Sequence, residues 1–132
     1  MPITVTRDLS QAMRHVVQIR GHQFPIDGSA DEGGSDSGPG AHDLYDAALA
    51  SCKALTVVWY ARRKGIALDD VQVEIERDAS EERHGIYRLH TKLHLSGALS
   101  ETQRQELLTV AGKCPIHKLM STVTTEITTS LA

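Results

Sequence analysis

Aromatic side chains are scarce: Phe24, Tyr45, Trp59, Tyr60 and Tyr87 make up 4% of the 132 residues. They are too few and too scattered for a base-stacking platform. Basic charge is not in excess either, with 14 Lys plus Arg against 17 Asp plus Glu and a net charge of −3, which argues against a phosphate-backbone binder. No uncharged run approaches the roughly 18 residues of a membrane span. The opening Met1-Pro2-Ile3-Thr4 lacks the basic and apolar regions of a signal peptide. Neither nucleic acid nor membrane is therefore expected as a partner, and the expected location is the cytoplasm. Cysteine is limited to Cys52 and Cys114, too few for a disulfide framework, and in a reducing compartment such thiols stay free unless their chemistry is the point. What remains, 40% hydrophobic and 23% charged residues, is ordinary for a globular chain, and residues 1–132 are expected to form one domain.

Hydrophobic periodicity divides the chain into elements. Residues 3–6 and 15–27 read as short strands, punctuated by Gly21 and Gly28, and residues 28–40 hold five of the ten glycines and read as a loop. Leu44, Ala48, Cys52, Leu55 and Trp59 then recur at helical spacing on one face. Arg62, Arg63 and Lys64 suit the last turn of that helix, and Gly65 suits a left-handed cap. Residues 71–77 and 86–96 alternate strictly and predict a hairpin with one wet face, joined through residues 81–85. Ser100 with Gln103 predicts a capping box that opens a helix carrying Leu107, Leu108 and Ala111 and ending at Gly112. Cys114-Pro115 predicts a further helix start, and residues 121–130 alternate as a final strand. Strands, one long helix, a hairpin, two shorter helices and a strand make an α+β protein.

Several residue types invite chemistry. Cys52, mid-helix among apolar neighbours, reads on position alone as a small buried hydrophobe. Cys114, at a helix start, meets unpaired amides that favour a thiolate, or is simply a cap. Cys114 and His117 have the spacing of a metal-ligand pair, but no second paired motif supports zinc. His90 and His94 fall on one face of a hairpin strand, expected to be the polar one. Gly33-Gly34 and Gly38-Pro39-Gly40 lack the Lys-Ser/Thr of a phosphate loop.

Residues 33–39 (Gly-Gly-Ser-Asp-Ser-Gly-Pro), 43–52 (Asp-Leu-Tyr-Asp-Ala-Ala-Leu-Ala-Ser-Cys) and 60–65 (Tyr-Ala-Arg-Arg-Lys-Gly) resemble the OsmC/Ohr family. So do Ser100 to Gln103, Leu107-Leu108 and Cys114-Pro115-Ile116-His117. These blocks run in family order from about Gly21 to the C-terminus. The resemblance implies antiparallel sheets wrapped around a long central helix in an intertwined homodimer. It also implies thiol chemistry without metal, flavin or other cofactor. Cys52 would attack an organic hydroperoxide and become a sulfenic acid, and Cys114 would resolve it as a disulfide. A dithiol reductant, such as a lipoylated or thioredoxin-like protein, would then restore the thiols.

In the hydroperoxide-resistance branch an arginine on an early strand stabilises the attacking thiolate and is oriented by a glutamate ten residues before the cysteine. Here that position is His42, and Asp43 offers a carboxylate one residue later. Arg14 is the favoured counterpart of the arginine, with Arg7 and Arg20 as alternatives. Gly21-His22, Asp27 and the Gly-rich loop resemble a less characterised branch that shares both cysteines. The alternative expectation is a binding member of the family, with weakly reactive cysteines, in which His42 has replaced the activating acid.

Overall fold

The computed structural model describes residues 2–132, and these form two compact units that divide between Tyr45 and Asp46. In the first, strands β1 (Thr4–Arg7), β2 (His15–Ile19) and β3 (His22–Ile26) make an antiparallel sheet in that order. Val17 lies opposite Val5 on one side and Phe24 on the other, and is the buried residue of the sheet. The segment 15–27 is thus two strands, reversed at Arg20-Gly21, with Arg20 at φ 51 in a conformation rare for a residue with a Cβ.

The glycine-rich loop is organised by one carboxylate. Asp27 is buried and accepts the amides of Gly28 (2.8 Å), Ser35 (3.2 Å) and Ser37 (3.0 Å) and the Ser37 hydroxyl (2.6 Å). The Ser37 hydroxyl and amide, more than the others, hold its pKa down to about 2. Glycine is required at position 34, where a Cβ would stand 2.1 Å from the Gly28 carbonyl oxygen and 2.8 Å from the Asp27 carboxylate.

Helix α1 runs Ala41–Lys64. The Asp43 carboxylate accepts the Gly40 amide at 2.8 Å and closes the first turn. At the far end Gly65 adopts φ 67 and Ile66 N–H reaches back to the Ala61 carbonyl at 2.9 Å, the left-handed termination expected there. The second unit continues with β4 (Leu68–Asp78) and β5 (Arg88–Gly97), an antiparallel pair in which Val71 faces Leu95 and Val73 faces Leu93. Helix α2 (Glu101–Ala111) opens with the expected reciprocal bonds between Ser100 and Gln103. Helix α3 (Pro115–Ser121) has Pro115 in its first turn. Val57, Ala61, Leu107 and Ala111 form the core, covered by apolar residues of the hairpin that include Val71, Leu93 and Leu95.

One helix face stays uncovered within the chain, and one expectation fails. The buried stripe of α1 is Asp46, Leu49, Lys53, Val57 and Ala61, whereas Leu55 and Trp59, on the face picked out by apolar spacing, are 72% and 60% exposed. Burial follows the packing partner, and within this unit Leu107 and Ala111 of α2 select the Val57 and Ala61 side. The final strand expected over 121–130 is absent: Ser121 closes α3, and residues 124–132 form no regular element and are exposed. Alternation supplies a face but not the neighbouring strand that a ladder needs. His90 and His94 do lie on the wet face of β5, and His94 Nε2 is 3.0 Å from Glu74 Oε1.

Candidate active site

Two thiols 62 positions apart in the chain meet in the second unit. Cys52 projects from the middle of α1, half-buried, and Cys114 precedes α3, fully buried. The break between α2 and α3 is what places Cys114. Its extended backbone (φ −63, ψ 146) turns the chain into Pro115, and its amide bonds to the Ala111 carbonyl at 3.4 Å. Both cysteines are free thiols, close enough for Cys52 to act on the ionisation of Cys114.

Burial, first of all, pushes the Cys114 thiol above its ordinary pKa. The His117 amide and the Lys53 charge pull it down, while the hydrogen bond to Cys52 and the charge on Cys52 push it up. The helix start was expected to lower the Cys114 pKa. The His117 amide does act in that direction, but α3 has only seven residues and complete burial outweighs it.

Lys53, which the sequence reading missed, stands beside this pair. It is 3% exposed, and its Nζ donates to the Ala111 carbonyl at 2.9 Å and to His117 Nδ1 at 2.9 Å. An ammonium can only donate, so this bond requires the His117 tautomer with its lone pair on Nδ1. The missed signal was its register, four residues from both Leu49 and Val57 on the buried stripe. His117 therefore faces a cation, and among the described residues no group of three or more His, Cys, Asp or Glu side chains is arranged to hold a metal ion.

Asp46, also unforeseen, is buried on the same stripe. Its carboxylate accepts Arg77 Nε at 2.5 Å and the Tyr87 hydroxyl at 2.7 Å, tying α1 to the end of β4 and to the residue just before β5. Burial, then the bond to Asp46, raises the Tyr87 pKa to about 12.

The other residues named from the sequence lie in the first unit. Arg14 pairs with Asp8 (Nε to Oδ2, 3.1 Å) and donates to the Ser37 carbonyl at 3.2 Å, which links the residue just before β2 to the loop built on Asp27. Asp43 holds the first turn of α1, and His42 lies exposed beside it. Arg7 donates to the Ala12 carbonyl at 3.2 Å, and Arg20 sits at the β2–β3 turn.

Residues 34–130 match the family described as OsmC-like protein. This chain belongs to the OsmC family. No curated protein matches it in sequence. Solved structures share the OsmC fold: the OsmC-like protein of Mycoplasma pneumoniae superposes with a TM-score of 0.73 at 20% identity, over 92% of this chain and 87% of the other. An organic hydroperoxide resistance protein of Legionella pneumophila gives 0.63 at 18% identity, over 92% and 90%. The organic hydroperoxide resistance protein OhrB of Bacillus subtilis gives 0.60 at 20% identity, over 92% of both chains. The OsmC family thus includes redox proteins named for organic hydroperoxide resistance, and the α+β architecture with two antiparallel sheets is its fold. No helix among the described residues is long and apolar enough to cross a membrane.

Proposed function

We propose that this OsmC-family chain is a thiol-dependent peroxidase acting on organic hydroperoxides. The observation that carries the reading is a pair of free cysteines brought together by the fold, one half-buried and one fully buried, with Cys52 acting directly on Cys114. Cys52, the more accessible sulfur, attacks the terminal oxygen of the hydroperoxide as a thiolate. The O–O bond breaks, an alcohol leaves with one proton, and Cys52 becomes a sulfenic acid. Cys114 then attacks that sulfur, the S–O bond breaks, water leaves and a disulfide remains. An external dithiol returns both sulfurs to thiols, becoming a disulfide itself. Leu55 and Trp59 share the helix face of Cys52 and expose apolar surface, which favours a substrate with an apolar group over hydrogen peroxide. Arg14 is our candidate for the cation that stabilises the Cys52 thiolate, and Asp43 for the acid that orients it.

The test mixes reduced protein with one equivalent of a bulky alkyl hydroperoxide and counts free thiols against time. Two thiols per chain should disappear together, faster than with hydrogen peroxide, and in Cys114→Ser the reaction should stop at a sulfenic acid trapped on Cys52. Thiol loss no faster than for free cysteine sinks the proposal and leaves the binding reading. A trapped sulfenic acid on Cys114 in Cys52→Ser reverses the assignment of roles.

We also infer a homodimer, because Leu55 and Trp59 on α1 and the alternating Val123 and Ile127 are exposed in the single chain. A second copy would cover this surface, and a monomer by light scattering at micromolar concentration refutes it.

A further inference from the structure

An ammonium group with 3% of its residue exposed is an unusual neighbour for the buried Leu49, Val57, Ala61, Leu107 and Ala111. Moving a charge out of water is costly, and an apolar side chain of similar length would fill the same space without that cost. The two bonds of Lys53 explain how the charge is tolerated. Neither explains why it is there, since the Ala111 carbonyl already accepts the Cys114 amide and His117 is exposed to water.

We propose that Lys53 is a positioning residue for the second half of the thiol cycle: anchored on the Ala111 carbonyl and His117 Nδ1, its ammonium stabilises negative charge on Cys114. This rests on the peroxidase reading for its place in the cycle, but not for its chemistry. Cys114 must carry negative charge twice. It does so when its thiolate attacks the Cys52 sulfenic acid, with the S–S bond forming, the S–O bond breaking and the departing hydroxide taking the proton that Cys114 gave up. It does so again when the external dithiol attacks Cys52 of the disulfide, and the bonding pair leaves on Cys114. Both steps are hindered by the burial that raises the Cys114 pKa, and Lys53 opposes that effect.

The geometry suits the role. Ala111 is the last residue of α2, and its carbonyl binds both the Cys114 amide and Lys53 Nζ. His117 lies one turn into α3, whose start Cys114 caps. One side chain therefore grips both ends of the short link that carries Cys114. The groups acting on Cys114 are Cys52 and Lys53 from α1 and the His117 amide from α3. Lys53 is the fixed cation among them, and it neighbours Cys52 in sequence, so the attacking sulfur and the charge that serves its partner ride on the same helix.

The experiment uses the full chain in a Cys52→Ala background, where Cys114 is the sole thiol. Its ionisation is followed by thiolate absorbance or by the rate of alkylation against pH. Replacing Lys53 by Met should move the Cys114 midpoint upward by about one pH unit. Lys53→Gln, which can still donate to the Ala111 carbonyl but has no charge, should give a shift of similar size and separates charge from anchoring. In the protein with both cysteines, Lys53→Met should accumulate sulfenic acid on Cys52 after one equivalent of alkyl hydroperoxide, where the unsubstituted protein proceeds to disulfide. A Cys114 midpoint that stays in place in both folded variants overturns the proposal. If the midpoint moves but the protein consumes no hydroperoxide, the role of Lys53 at Cys114 stands and the peroxidase reading falls.

Discussion

Removing the Asp46 carboxylate tests how α1 is fastened to the hairpin. Asp46→Ala takes away the acceptor for the Tyr87 hydroxyl at 2.7 Å and for Arg77 Nε at 2.5 Å. The two losses differ in weight. A hydrogen bond to a charged, buried acceptor contributes about 1.5–3 kcal/mol, and the Asp46 side chain is only 7% exposed. The Arg77 side chain is 37% exposed, so water screens it and its ion pair counts for roughly 0.5–1 kcal/mol. Together the substitution should cost about 2–4 kcal/mol. Urea unfolding followed by circular dichroism measures it, at one protein concentration throughout, since association would alter the apparent stability. Tyr87→Phe measured in both backgrounds gives the coupling, expected at roughly 1 kcal/mol or more. The pH dependence has a definite sign. The folded pKa of Tyr87 is raised from 10.0 to about 12, so its contribution is whole below pH 10 and is lost as pH rises toward 12. A cost for Asp46→Ala below about 1 kcal/mol, or a Tyr87→Phe cost that is the same with and without Asp46, refutes this account.

Leu107→Ala, at a position with no exposed surface in contact with the Val57 and Ala61 side of α1, should cost about 2–5 kcal/mol by thermal or urea unfolding. The Asp27 carboxylate, whose pKa is held down to about 2, should stabilise the 27–37 loop above pH 4 and release it as pH falls toward 2. Amide exchange at Ser35 and Ser37 against pH reports the change, and Asp27→Asn should remove that dependence.

Much of this protein is legible in the order of its residues. The hairpin, the α2 capping box, the Gly65 termination of α1 and the loop over 28–40 are set by period, by a cap residue or by glycine, all of which act within a few positions along the chain. The family is legible too, because the small-residue run before Cys52 and the Cys-Pro-Ile-His segment keep their order. Tertiary structure decided what a local pattern cannot carry. Spacing groups Leu55 and Trp59 on one helix face, but which face is buried depends on where Leu107 and Ala111 arrive from α2. Alternation over 121–130 offers a strand, but a strand exists only where a partner supplies the other half of its hydrogen bonds. The helix start before Pro115 pointed to a lowered Cys114 pKa, and burial reversed the sign, since the cost of desolvating a thiolate depends on every neighbour that excludes water. Asp46 and Lys53 look in the sequence like ordinary surface charges of a helix. They acquire their meaning only when the fold brings Arg77 and Tyr87 to one, and Ala111, His117 and Cys114 to the other.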